Sequence, residues 1–137
     1  MQKEEVIDLI RDAGFGFLAT TEGKQPRVRP MMPYLTEDEG TLLVALLPRS
    51  RTIPQIKENP LVEVCFVDRK MWYCRITGRA VLDNNLEDKQ VVWNNIPILR
   101  QYFSGPEDAN FILLKIDIVE TEAMTPHQRQ PEKINLK

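Results

Sequence analysis

Apolar residues recur along the chain with two different periods. Val6, Ile7, Leu9 and Ile10 fall on one stripe, which predicts a short amphipathic helix over residues 3–13. Glu4 and Glu5 suit its positive N-terminal end, and Gly14 is a natural stop. Phe15 to Thr21 then reads as a buried strand that runs into the turn Glu22-Gly23-Lys24-Gln25-Pro26. Arg27 to Tyr34 reads as the next strand, Glu37 to Gly40 as a turn, and Thr41 to Leu47 as a buried apolar strand. A short helix is predicted over Arg51 to Asn59. Pro54 is tolerated only in a first turn, so the start falls at about Arg51 or later, and Thr52 with Gln55 has the spacing of a capping box.

Leu61–Val67 and Met71–Leu82 form a predicted hairpin around Asp68-Arg69-Lys70. Its second strand sets Trp72, Cys74, Ile76, Ala80 and Leu82 on one face, with Tyr73, Arg75, Thr77 and Arg79 on the other. Gly78 falls on the buried face, where glycine signals a bulge or a close neighbour. Leu86–Asn94 and Ile98–Phe103 read as helical pieces separated by Pro97. Ile112, Leu114, Ile116 and Ile118 alternate with Lys115 and Asp117 in a last strand. The chain is Pro-, Gln- and Lys-rich from Thr125, which divides it into a domain over 1–124 and a tail or arm over 125–137, either loose or packed on a partner. Five or six strands joined mostly by tight turns predict a mainly β protein built as a small antiparallel barrel, with a β-sandwich as the alternative.

Composition narrows the function more than the fold. The 137 residues are 42% apolar and 28% charged, as expected of one soluble domain. Eighteen basic against twenty acidic side chains leave a net charge of -2, which argues against a nucleic-acid partner. The longest apolar run, Leu42 to Leu47, is too short for a bilayer, and the opening Met-Gln-Lys-Glu-Glu has no apolar signal segment. The expectation is a cytoplasmic protein with no membrane partner. Cys65 and Cys74 are not spaced as a metal motif, and the only histidine, His127, lies far away in the tail, so a zinc site is not expected. The hairpin register points the two cysteines to opposite faces, so both should be free thiols. With one histidine the usual nucleophilic triads are also unsupported, and any chemistry is expected to come from a bound molecule.

Two basic clusters suggest what that molecule carries. On a strand, Arg27 and Arg29 share a side roughly 6.6 Å apart, an arrangement that repels unless an anion sits nearby. Pro48-Arg49-Ser50-Arg51-Thr52 adds two guanidiniums and two hydroxyls before a helix start, where free N–H groups favour phosphate. Taken singly, each has an ordinary reading as a solvated face or a cap. Together they point to a phosphate-bearing ligand. Gly14-Phe15-Gly16 does not continue as a dinucleotide fingerprint.

The order of several short motifs completes the reading. Phe17 to Thr21, Gln25 to Met31, Ser50-Arg51, Gln55 to Val64 and Arg75 to Val81 together resemble the pyridoxamine-5'-phosphate-oxidase-like flavin-binding split barrels over residues 5 to 120. Within that family the chain most resembles the nitroimidazole-resistance and general-stress groups, and Ile96 to Tyr102 and the strand near Phe111 are similar to the former. The resemblance implies a six-stranded antiparallel split β-barrel, a homodimer, and FMN held between two subunits. Carried over by position, it implies cofactor contacts from Arg27, Val28, Arg29 and Pro30, from Ala45 and Leu46, and from Ser50, Arg51 and Thr52. Tyr73 would reach the flavin from the other subunit. Thr52 stands where the family's phosphate loop usually has lysine, Leu46 where a hydroxyl residue is common, and His127-Gln128-Arg129 is not the Arg-x-His ending of the true oxidases.

Three functions compete on this reading. The first is an FMN-dependent oxidoreductase acting on a small molecule such as a nitroaromatic or quinone. The second, favoured by Thr52 and Leu46, is a binding protein without catalysis, with weak or no FMN, its cleft holding haem or another anion. The third is a nucleic-acid binder, opposed by the net charge and the absence of a basic run.

Overall fold

The computed structural model describes residues 1–137. An N-terminal helix, α1 (Lys3–Ala13), leads into a mainly antiparallel sheet. Its strands are β1 (Gly16–Glu22), β2 (Gln25–Met31), β3 (Tyr34–Leu35), β4 (Thr41–Leu46), β5 (Leu61–Val67), β6 (Tyr73–Asp83), β7 (Ile112–Met124) and β8 (Glu132–Lys133). Helix α2 (Thr52–Glu58) joins β4 to β5. Helix α3 (Leu86–Asn95) and a 3-10 turn over Pro97–Gln101 join β6 to β7. The sheet order is β2-β1-β5-β6-β7-β4-β3, with β8 paired to β7, and the two ends do not close. This is the expected split barrel with two additions to the expected six strands, since β3 and β8 are two-residue strands.

Three local differences have clear causes. The predicted strand 27–34 breaks at Met32-Pro33, because Pro33 supplies no ladder N–H. The two prolines inside β2, Pro26 and Pro30, are tolerated because β2 is an edge strand. The last strand runs six residues beyond Ile118, to Met124. Its register against β6 shifts at Thr77/Gly78, so Leu114, Ile116 and Ile118 face the core before the bulge and Thr121 and Ala123 after it. Reading a single alternation cannot see past that change of phase. Finally, Thr52 is the first residue of α2 rather than its cap. Arg51 takes the cap position, and the side chain of Gln55 turns to the sheet instead of closing a capping box.

Two cores meet across β4 and β7. The larger lies inside the barrel and includes Leu18, Leu42, Val44, Val64, Phe66, Ile76, Leu114 and Ile116. The smaller lies outside, where Val92, Ile96, Leu99, Phe103 and Phe111 pack on Leu43 and Leu113. Burial on both faces explains why Thr41 to Leu47 shows no alternation. The C-terminal segment packs on its own chain: Ile134 N–H donates to Thr121 O at 2.8 Å and Leu136, 3% exposed, joins the larger core. Both cysteines are free, Cys74 in the core and Cys65 on the outer face opposite Arg75, which is the register the sequence predicted. No helix is long and apolar enough to cross a membrane.

Gly78 is the tightest point of the sheet. A Cβ there would lie 2.4 Å from Ile116 Cγ2 and 3.0 Å from the Asp117 carbonyl. Gly78→Ala is therefore expected to lower stability by about 1 to 3 kcal/mol in urea denaturation, while Val119→Ala on the exposed bulge should stay within about 0.5 kcal/mol of the parent.

Candidate functional site

The sequence-predicted residues divide into two neighbouring groups. The first lines a cleft of about 640 Å³ between β2, the end of β4 and the 3-10 turn. Pro30, Ala45, Leu46 and Ser50 contribute to it as the sequence indicated. Arg49, from the basic cluster ahead of α2, joins them, and the rest of the wall was not anticipated: Phe15, Met31, Met32 and Leu47 from the strand ends, and Ile98, Leu99, Tyr102 and Phe103 from the 3-10 turn and the two residues after it. The available signal was the Ile98, Leu99, Tyr102 spacing after Pro97, which marks a helical stripe but does not say what it covers. Ten of the thirteen lining residues are apolar, and the only ionisable groups among them are Arg49 and Tyr102. Such a cleft suits a flat, largely apolar molecule with a polar end near Ser50 and Arg49.

The second group lies on the other side of β2. Strand alternation sends Val28 and Pro30 to the outer face, with Val28 68% exposed, and sends Arg27 and Arg29 toward α2. Arg29 is half-buried and donates to Leu18 O at 3.2 Å and to Gln55 Oε1 at 2.6 Å; burial lowers its pKa. Thr20 Oγ1 donates to the same Gln55 oxygen at 2.5 Å, and Gln55 is only 4% exposed. Arginine can only donate, so the amide atom facing Arg29 must be oxygen. Gln55 Nε2 is thereby turned outward, where it donates to Glu22 Oε2 at 3.1 Å. Arg27 pairs with Glu22 Oε1 at 2.9 Å, which is the ordinary ion pair that a solvated face allows.

The start of α2 differs from expectation. Ser50 accepts the N–H of Thr52 on its Oγ and that of Ile53 on its carbonyl, both at 3.2 Å, and Pro54 has no N–H. The first turn therefore offers a bound anion few free N–H groups, and side chains must do more of the work. Arg49 and Arg51 are exposed and take part in none of the five ion pairs, whereas Thr52 is buried at 3% exposure. Tyr73 lies outside the cleft, with its hydroxyl 3.5 Å from Met124 Sδ and Arg75 stacked over its ring.

Tyr73 and the cleft nevertheless share one surface. Direct partners across the sheet run Pro30, Phe17, Cys65, Arg75 and Glu122, so all five stand on the outer face, and Tyr73 is two residues from Arg75. This face leaves Phe17 43% exposed, and the Nε of Arg75 is buried with no partner, although its Nη2 binds Glu122 at 2.8 Å.

An open antiparallel barrel with an apolar cleft beside an edge strand is the architecture of the split-barrel proteins. The chain belongs to the pyridoxamine 5'-phosphate oxidase-like family, whose model matches residues 1–130. It is 25% identical over 141 residues to general stress protein 26 of Bacillus subtilis (strain 168), covering 98% of this chain and 96% of that one. The crystal structure of general stress protein 26 from Bacillus anthracis str. Sterne superposes with a TM-score of 0.82 at 27% identity, covering 98% of each chain. A NimC/NimA family protein from Clostridium acetobutylicum superposes with a TM-score of 0.80 at 26% identity, covering 96% of this chain and 90% of that one.

The Gln55 amide makes this site sensitive to one substitution. Gln55→Leu strands the Thr20 hydroxyl and the Arg29 guanidinium together, and is expected to lower stability by about 1 to 3 kcal/mol. Lys57→Leu, on the exposed side of the same helix, should change denaturant unfolding little.

Proposed function

We propose that the protein is an FMN-dependent oxidoreductase that works as a cytoplasmic homodimer on a small oxidant such as a nitroaromatic or a quinone. The observation that carries this reading is the two-part shape of the site. The apolar cleft accommodates a flat ring system between Pro30, Ala45, Leu46 and the 3-10 turn, and Ser50 leads from it to the arginines beyond the edge of β2. A ring joined by a flexible polar chain to a phosphate matches that sequence of surroundings. Pro30, Ala45 and Leu46 would hold the ring, and Arg27, Arg29, Ser50 and Arg51 would surround the phosphate. Bound FMN supplies two-electron transfer between a reduced donor and an oxidant. The chain's own contribution is to bind, orient and exclude water, since the cleft walls hold no carboxylate, histidine or thiol.

The homodimer rests on the outer face. A second copy seated there would cover Phe17 and Val28 and bring its own Tyr73 over the first copy's cleft. The two free thiols agree with a reducing compartment.

The visible spectrum of freshly purified protein tests the reading most directly, and an oxidised flavin spectrum is expected. A Soret band would replace flavin with haem, and colourless protein that does not take up added FMN would leave a binding protein for another anion. FMN is expected to bind far more tightly than riboflavin, and Arg51→Ala should weaken FMN by about 1.5 to 3 kcal/mol, roughly ten- to a hundredfold. Arg69→Ala, in the distant hairpin turn, should change little. Equal binding of FMN and riboflavin would misplace the phosphate site.

Sedimentation at micromolar concentration should give twice the mass of one chain, because an interface that closes the cleft buries well over about 1,000 Å². A monomer with full FMN affinity would remove Tyr73 from the site.

A further inference from the structure

Glu22, at the end of β1, accepts hydrogen bonds from two side chains, Arg27 and Gln55. Its Oε1 accepts from Arg27 Nη2 at 2.9 Å and Nε at 3.3 Å, and its Oε2 accepts from Gln55 Nε2 at 3.1 Å. The Arg27 hydrogen bond, then that of Gln55 and the Arg27 charge, with a smaller contribution from nearby Arg51, hold its pKa below the usual carboxylate range. An exposed ion pair of this kind adds little stability, at most about 1 kcal/mol. Stability therefore does not explain the arrangement.

The unusual member is Gln55. Thr20 and Arg29 both point at its oxygen, so a buried amide is locked with its N–H groups facing the surface. Arg29 holds the amide from its oxygen side, Arg27 shares Glu22 with the outward Nε2, and the charge of Arg51 also acts on Glu22. The sole acidic side chain bonded to them is Glu22. The cluster is thus a preformed set of anion donors carrying an excess of positive charge, with a carboxylate of the chain already in it.

We propose that Glu22 is the resting occupant of an anion pocket formed by Gln55 Nε2, Arg27 and Arg51, and that the phosphate of an incoming ligand displaces it. Identifying that ligand as FMN rests on the function proposed above; the pocket itself does not. A phosphate monoester brings nearly two charges and three strong acceptor oxygens against the one charge and two oxygens of Glu22. It therefore gains by the exchange, while a carboxylate ligand merely replaces like with like. Glu22 sets a threshold that favours phosphate over carboxylate and holds the affinity for phosphate below what the arginines alone would give.

The test compares the parent protein with Glu22→Gln, whose amide fills the same exposed position without the charge, and with Glu22→Ala. Isothermal titration with FMN should show tighter binding in both variants, by about three- to thirtyfold at low salt, with riboflavin unchanged. Inorganic phosphate, titrated while the melting temperature is followed, should stabilise both variants at lower concentrations than it stabilises the parent. Acetate should stabilise the parent little and the variants more. If FMN binds all three proteins with equal affinity, or more weakly in the variants, Glu22 is no competitor and the inference falls while the flavin reading stands. If FMN binds none of them, the flavin reading falls, and the phosphate titration alone decides whether the pocket exists.

Discussion

The buried amide of Gln55 ties together the parts of this protein on which its site depends. It comes from α2, the helix between β4 and β5, and it reaches β1 through Thr20 and β2 through Arg29. Inside a protein an unpaired amide, hydroxyl or guanidinium carries a desolvation penalty larger than the net gain from one hydrogen bond. All three must therefore be satisfied at once, and the observed placement of α2 on the strands does so. That placement fixes where Ser50 and Arg51 emerge at the head of the helix. It also holds the edge strand β2, which has a hydrogen-bonded neighbour on one side only. The site is positioned by a polar constraint acting at the margin of an apolar core.

The cleft follows from the opposite kind of constraint. β4 is buried on both faces, by the barrel interior through Leu42, Val44 and Leu46 and by the outer cluster through Leu43. The outer cluster is anchored by Phe103 stacked on Phe111 at 4.9 Å, which pins the 3-10 turn over the end of β4. Where the turn passes Ala45 there is a methyl group on the strand instead of a larger side chain, and the space between turn and strand stays open. Ile98 and Tyr102 line that space and remain partly exposed. The same small residue that lets the two layers meet leaves room for a ring.

Much of this was legible from residue patterns. The helices at 3–13 and 51–59, the hairpin around Asp68-Arg69-Lys70 and the crowded glycine at 78 all follow from period, punctuation and the special freedom of glycine. The failures share a cause, which is that periodicity describes one element at a time. The phase change at Val119 ends the visible alternation although the strand continues. Gln55 has the spacing of a capping residue, but Arg29, 26 positions away, claims its side chain. The outer wall of the cleft comes from Ile98 to Phe103, whose local pattern marks a buried stripe without naming the surface it meets. The basic clusters were legible as residues and not as geometry: Arg27 and Arg29 share a side as predicted, yet that side faces α2 and not the cleft.

That division between faces bears on how two copies would pair. In a twofold interface each surface patch meets its own image, so a residue near the axis meets its equivalent and a residue far from it lies over a different part of the partner. Pro30 and Tyr73 stand on one face but at different places along the row from β2 to β7, separated by β1 and β5. An axis passing between them, near Phe17 and Cys65, would set each copy's Tyr73 against the other's β2. Both clefts would then be completed together, and neither alone. The arginines on the opposite side of β2 take no part in that contact, so the proposed interface and the anion pocket make separate demands on the sequence. Val28 and Phe17 must stay apolar for the first, and Gln55 must keep its amide turned outward for the second.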